Sequence, residues 1–194
     1  MRSKAAKRYD GGLWILEKLA FRDLRKKVLP KAGGRVLEVG IGTGVNLPHY
    51  REVEFVAGID IRTDLMKGID PDRISPPVLS CCANAHALPF SGRSFDTVVS
   101  TLVFCSVAEV HIALAEIRRI LKPGGRLLMM EHVRGRTGLS RRFTDWMHPL
   151  WFAVQGECHL NRETESRLRE AGFRIRSAST HGRGIILVIE AEIT

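Results

Sequence analysis

Arg35-Val36-Leu37-Glu38-Val39-Gly40-Ile41-Gly42-Thr43-Gly44 is the stretch that decides the fold. Its first half is a short apolar run behind Gly33 and Gly34, which reads as a buried strand, and its second half puts glycine at every other position directly after that strand. Residues without a Cβ let the backbone turn tightly and let a ligand come close, and parallel sheets bind ligands beyond the carboxyl ends of their strands. A turn and a helix are expected next. Asp60 then closes a second strand-like run, Phe55 to Ile59, where a carboxylate can accept both hydroxyls of a ribose. Strand, glycine loop and acid together point to a nucleoside-containing cofactor.

Working outward, Val78 to Cys81, Phe95 to Val103 and Arg126 to Met130 read as further strands. The clearest helix between them is Glu109 to Leu121, closed by the stop signal Lys122-Pro123-Gly124-Gly125. Strands alternating with helices imply an α/β domain with a parallel sheet. Upstream, Leu13, Leu16, Ala20, Leu24 and Val28 recur at helical spacing, with Lys18, Arg22, Arg25 and Lys26 on other faces, so residues 10–29 read as a basic amphipathic helix that serves as lid or anchor. Downstream, Leu139, Phe143, Trp146, Met147, Leu150, Trp151 and Val154 form one apolar stripe beside Arg141 and Arg142, in a helix that Pro149 is expected to kink or interrupt. Asn161 is placed as the N-cap of a helix ending at Ala171 and Gly172, and Phe173 to Ser179 and Ile185 to Ala191 are two last strands around Gly182-Arg183-Gly184.

The whole chain, 1–194, is read as one domain: residues 1–34 an N-terminal helix, 35–133 the cofactor-binding core, 134–194 the acceptor-side helices and final strands. With 194 residues, 44% hydrophobic and 26% charged, the composition excludes a disordered or disulfide-stapled chain. Cys81, Cys82, Cys105 and Cys158 show no Cys-x-x-Cys spacing, and no histidine cluster suits zinc, so no metal site is expected and a cytoplasmic setting fits. The net charge of +9, carried by 22 Arg and 8 Lys, would favour an anionic partner, or it simply reflects solvated arginine-rich faces. No signal peptide or membrane span is read from the sequence, which leaves peripheral contact with an anionic inner-membrane surface, Trp14 and Phe21 entering among acyl chains.

Two cofactors fit a glycine loop followed by an acid. The dinucleotide fingerprint G-x-G-x-x-G would need its third glycine at Val45, whereas here it falls at Gly44. S-adenosylmethionine has no pyrophosphate to cradle and carries a sulfonium, which tolerates an acid such as Glu38 near the loop, so it is favoured over NAD(P).

Val36 to Gly44, Asp60, Ala87-Leu88-Pro89-Phe90 with Ser94-Phe95-Asp96, and Leu121 to Gly125 resemble, in order, the successive motifs of class I S-adenosylmethionine-dependent methyltransferases. The resemblance implies a Rossmann-like fold: a seven-stranded, mostly parallel sheet with an antiparallel last strand and helices on both faces. It further implies that Gly40, Gly42 and Gly44, near Glu38, meet the methionine part, that Asp60 and Ile61 meet ribose, and that Asn84 and Ala85 meet adenine. Many relatives carry Asp where Asn84 stands; an amide oxygen can still accept from the adenine amino group, and a turn cap is the alternative role.

Thr101 to Val107, Met130-Glu131-His132-Val133 and Cys158 to Thr164 more narrowly resemble the enzymes that S-methylate small alkyl thiols and the bacterial phosphatidylethanolamine N-methyltransferases. Thr101 joins the cofactor-binding set on this basis. The expected acceptor is a small thiol, with a lipid amine as the alternative. A thiol must lose its proton, and His132 at the end of the fifth strand is the candidate base, or else an orienting residue of the pocket. His159 and Arg162 are candidates for the acceptor entrance. Trp146 and Trp151 are candidates for its lining, although such a stripe is also read as core. An RNA-directed role is weighed against, because the basic residues are scattered and no Asn-Pro-Pro-Tyr-type motif follows the fourth strand.

Overall fold

The apolar runs pair into a single sheet. In chain order its strands are β1 (Gly34–Val39), β2 (Val53–Asp60), β3 (Val78–Cys82), β4 (Phe95–Thr101), β5 (Leu121–His132), β6 (Phe173–His181) and β7 (Ile186–Ile193). The computed structural model describes residues 21–71, 74–135, 137–155 and 162–193. Across the sheet the order is β3-β2-β1-β4-β5-β7-β6. Strands β1 to β5 run parallel, and β7 lies antiparallel between β5 and β6. The order reverses between β1 and β4, so their outgoing loops diverge and open a crevice at the carboxyl edge.

Successive residues of a strand face opposite ways, and both faces are apolar. Val36, Val56, Val99 and Leu128 face one way, against Val28, Leu29 and Leu47. Leu37, Ala57, Val98, Leu127 and Met129 face the other, against Ala113, Leu114 and Ile117 of the helix α3 named below. This two-sided burial is why the inner strands read as continuous apolar runs instead of alternating ones.

The described helices are α1 (Arg22–Val28), α2 (Thr63–Met66), α3 (Val110–Ile120), α4 (Gly138–Gln155) and α5 (Thr164–Glu170). Four local expectations change. No α-helix is formed after the glycine loop: Pro48, which lacks an N–H, sits in a short 3-10 turn, Leu47–His49. Lys122-Pro123-Gly124-Gly125 ends α3 but lies within β5, because Leu121 already pairs with Phe95 and the register shifts before Arg126. Helix α4 continues through Pro149, an exposed position where the carbonyl released from its helical partner can meet water. At α1, Phe21 and Arg25 are buried, so the expectation that Phe21 enters a bilayer and Arg25 faces solvent is corrected; Trp14 lies outside the described residues, as does the Asn161 cap. Gly172 does terminate α5, at φ +81 with its N–H on the Arg169 carbonyl at 3.0 Å.

Candidate active site

The glycine loop leaves β1 at the crevice. Gly40, Gly42 and Gly44 have φ of +71, +52 and +78, the left-handed region that side chains disfavour. Their surroundings differ. A Cβ on Gly40 would lie 2.3 Å from Val103 Cγ2, so this glycine lets the loop after β4 close against the loop after β1. A Cβ on Gly42 would meet only Asp60 Oδ2 and the Gly40 carbonyl, both at 4.0 Å. The backbone at Gly42 therefore borders open space next to a carboxylate, as a close-approaching ligand requires.

Asp60, at the end of β2, is aimed by two main-chain amides: Gly42 N–H donates to Oδ2 at 2.9 Å and Arg62 N–H to Oδ1 at 2.8 Å. A carboxylate oxygen has a second acceptor position, so each remains able to take a hydroxyl. Ile61 follows with its side chain 62% exposed, an uncovered apolar surface beside the acid. Asn84 and Ala85 stand just past β3, which pairs with β2 as far as Asp60↔Cys82. Asn84 Oδ1 accepts from the His86 N–H at 2.9 Å, so the amide caps its own turn, and Ala85 is buried. The fit to a nucleoside with a short polar tail is met by Gly42, Asp60 and Ile61 together.

Glu38 lies behind the loop. It is 1% exposed and both oxygens are bonded, Oε1 to Asn46 Nδ2 at 2.8 Å and Oε2 to the Tyr50 hydroxyl at 2.7 Å. Burial raises its pKa from 4.5 to about 7, against the hydrogen bonds from Tyr50 and Asn46 and the charge of Arg25. The Asn46 amide also donates to Thr101 Oγ1 at 2.9 Å. Arg25 reaches in from α1 and donates to Thr101 Oγ1 at 3.0 Å and to Asn46 Oδ1. One buried polar network thus joins α1, β1, the glycine loop's continuation and the end of β4, and Glu38 and Thr101 belong to its interior. Arg25, Asn46 and Tyr50 escape a reading by motif. Arg25 did leave a trace: Val28 and Leu29, three and four residues on, set it beside an apolar face.

Glu131, one residue before His132, is a second buried carboxylate with a raised pKa, again because of burial. It accepts from Ser100 Oγ at 3.0 Å and from the main-chain amides of Val103 and Cys105 at 3.2 and 3.3 Å. It thereby fixes the loop after β4, in which Leu102 holds φ +59, a conformation that costs an L-residue about 1–2 kcal/mol. His132 itself ends β5, half-buried, with the Phe21 ring edge-on at 5.9 Å between centroids. Glu38, the three glycines, Asp60, Thr101 and His132 are therefore all carried at the carboxyl edge of the sheet.

The acceptor-side candidates divide. Arg162 donates to the Val107 carbonyl at 2.6 Å and helps line a cavity of about 490 Å³ with Phe104, Val110 and Thr164. Trp146 is 73% exposed on α4 and so forms no part of the core. His159 lies outside the described residues, and Trp151 outside those whose side chains are described. Among the described residues no cluster of His, Cys, Asp or Glu could hold a metal ion, and Cys81, Cys82 and Cys105 are not joined in disulfides.

Comparison with known proteins places this geometry. A family described as a methyltransferase domain matches residues 37–129. The human thiol S-methyltransferase TMT1A is 33% identical over 161 residues, 79% of this chain and 65% of that protein. The phosphatidylethanolamine N-methyltransferase of Cereibacter sphaeroides is 33% identical over 104 residues, 52% of this chain and 51% of that protein. The chain thus spans less than two thirds of the length of these curated relatives. Among solved structures, an S-adenosylmethionine dependent methyltransferase from Mesorhizobium loti superposes with a TM-score of 0.71 at 17% identity, covering 91% of this chain and 99% of that one, which shows the shared fold. With the glycine loop, the acid after β2 and the strand order in agreement, the chain belongs to the class I S-adenosylmethionine-dependent methyltransferases.

Proposed function

We propose that this protein transfers the methyl group of S-adenosylmethionine to a small thiol. The observation that carries the reading is His132: an imidazole at the carboxyl end of β5, with the apolar ring of Phe21 against it, in a chain similar to a thiol S-methyltransferase over 79% of its length. Bound S-adenosylmethionine supplies a methyl group on a sulfonium, a good leaving group. Gly42 gives it backbone access, Asp60 receives the ribose hydroxyls, Ile61 offers an apolar surface, and Asn84 with Ala85 stands where adenine is expected. A thiol of ordinary pKa is mostly protonated at neutral pH, and only its thiolate is a strong nucleophile. His132 takes that proton as the new carbon–sulfur bond forms. Arg162 lies toward the acceptor entrance in this reading.

A phosphatidylethanolamine-type amine is the second reading, supported by the similarity to the bacterial N-methyltransferase. An amphiphilic acceptor of either kind brings peripheral contact with an anionic membrane, toward which the net charge of +9 points. No helix among the described residues is long and apolar enough to cross a membrane. The test is a transfer assay with methyl-labelled S-adenosylmethionine against alkyl thiols, phosphatidylethanolamine, quinols and RNA. Label on the thiol is expected. Label on the lipid alone would move the assignment to the amine, and no label on any thiol from protein that binds the cofactor would overturn it.

A further inference from the structure

Helix α4 carries an outer face that the chemistry above does not use. Among the described residues five large apolar side chains are exposed: Ile61, Leu79, Ile112, Leu139 and Trp146. Ile61 adjoins the cofactor crevice, whereas Leu139 and Trp146 are the two most uncovered, at 83% and 73%, and stand on one helix. Seven residues apart, they share a face about 10 Å along the axis. Buried Thr144 projects roughly 150° away from both, so the face they share is the outer one. Arg142, also exposed, lies within about 60° of both and flanks that face, whereas exposed Arg141 stands on the side of Thr144. The only acid among the described side chains of α4, Asp145, is engaged by Arg134, whose Nε and Nη2 donate at 2.9 and 2.7 Å.

We infer that the Leu139–Trp146 face of α4 docks on an anionic lipid bilayer. Tryptophan and leucine suit the headgroup boundary, where an indole can keep its N–H in a polar layer, and the adjacent Arg142 meets lipid phosphate. The net charge of +9 has the same sign as this rim. The inference rests on the second reading, an amphiphilic acceptor, and specifies the surface that meets its source. Position supports it: Gly135 N–H donates to Thr144 Oγ1 at 3.2 Å, and Arg134, two residues beyond His132, anchors Asp145. The helix is thereby fastened to the carboxyl end of β5, and a bilayer held on its outer face lies at the acceptor side of the site. The described part of the basic N-terminal helix cannot provide this contact with Phe21 or Arg25, both of which are buried.

The test is cosedimentation of the full chain with phosphatidylcholine vesicles and with the same vesicles containing phosphatidylglycerol. Binding should favour the anionic vesicles and fall with salt. Leu139→Glu should weaken it by at least about tenfold, and Arg142→Glu by about fivefold, with cofactor affinity by calorimetry unchanged. Independently, brominated lipid should quench a fluorescence component that Trp146→Phe removes. Vesicle binding indifferent to these variants, quenching unaltered by Trp146→Phe, or no vesicle binding at all would overturn the inference. So would a dimer of the chain that Leu139→Glu dissolves, since the face would then be a contact between copies. The acceptor assay is separate: thiol methylation in solution without vesicle binding would sink this inference and leave the proposed activity standing, and the reverse result would do the opposite.

Discussion

Replacing Glu38 by glutamine keeps the shape of the side chain and removes its titration. The amide can be satisfied in place: its oxygen accepts from Asn46, and its NH2 donates to the Tyr50 hydroxyl, which can be donor or acceptor. In the wild type, burial holds Glu38 at about 7, well above its ordinary 4.5. Through that window the native state binds more protons than the unfolded chain, so stability falls as pH rises. The contribution of the neutral carboxyl is full below about pH 4.5 and lost as pH passes about 7. At about 1.4 kcal/mol per pKa unit, integration between pH 5 and pH 8 gives a loss of about 2–3 kcal/mol from this one group. Urea unfolding of wild type and Glu38→Gln at a series of pH values isolates it, because every other titrating group is shared. The stability difference should move in favour of the variant by that amount from pH 5 to pH 8. Parallel curves would refute the reasoning, and would mean that Arg25 and the hydrogen bonds keep Glu38 ionised throughout.

Asp60→Ala should weaken S-adenosylmethionine binding by about a hundredfold in calorimetry, the scale of two hydrogen bonds to a charged group, while unfolding shifts by only about 1–2 kcal/mol for the lost partner of the Gly42 and Arg62 amides; equal cofactor affinity would remove the ribose assignment. Gly42→Val should abolish cofactor binding in a folded protein, since the new side chain is strained at φ +52 and enters the open space beside Asp60; retained binding would make the loop a mere turn. His132→Ala should lower thiol methylation at pH 7 by about a hundredfold, with a deficit that shrinks as pH nears the thiol's own pKa and with cofactor affinity unchanged. A deficit constant across pH would indicate a positioning role instead.

The parts of this molecule legible in the sequence are those written as local pattern. The inner strands read as apolar runs because both faces of the sheet are buried there, whereas the edge strands β3 and β6 are exposed along most of their length, and the alternating glycines with Asp60 sit where the end of a parallel strand puts them. The last strand could be read as a strand from its residues, but its insertion between β5 and β6 is a matter of distant pairing that no window of sequence contains. The polar interior was largely illegible for the same reason. Arg25, Asn46, Tyr50 and Thr101 are scattered over 76 residues and become one network only after β1 and β4 pair. Arg25 reads as a solvated charge in a basic helix until its burial is seen. Trp146 misleads in the opposite direction, since a tryptophan at helical spacing among apolar residues promises core and here faces outward.

Gly40 and Val103 occupy one shared volume, and Glu131 holds the main chain on which Val103 is mounted. During divergence these three positions are consequently one heritable unit. Alanine at position 40 is admissible only if position 103 shrinks, and any residue at 131 that cannot accept two backbone amides releases the segment that makes the glycine necessary. The junction of β1, β4 and β5 should accordingly change in concert or hardly at all among related chains.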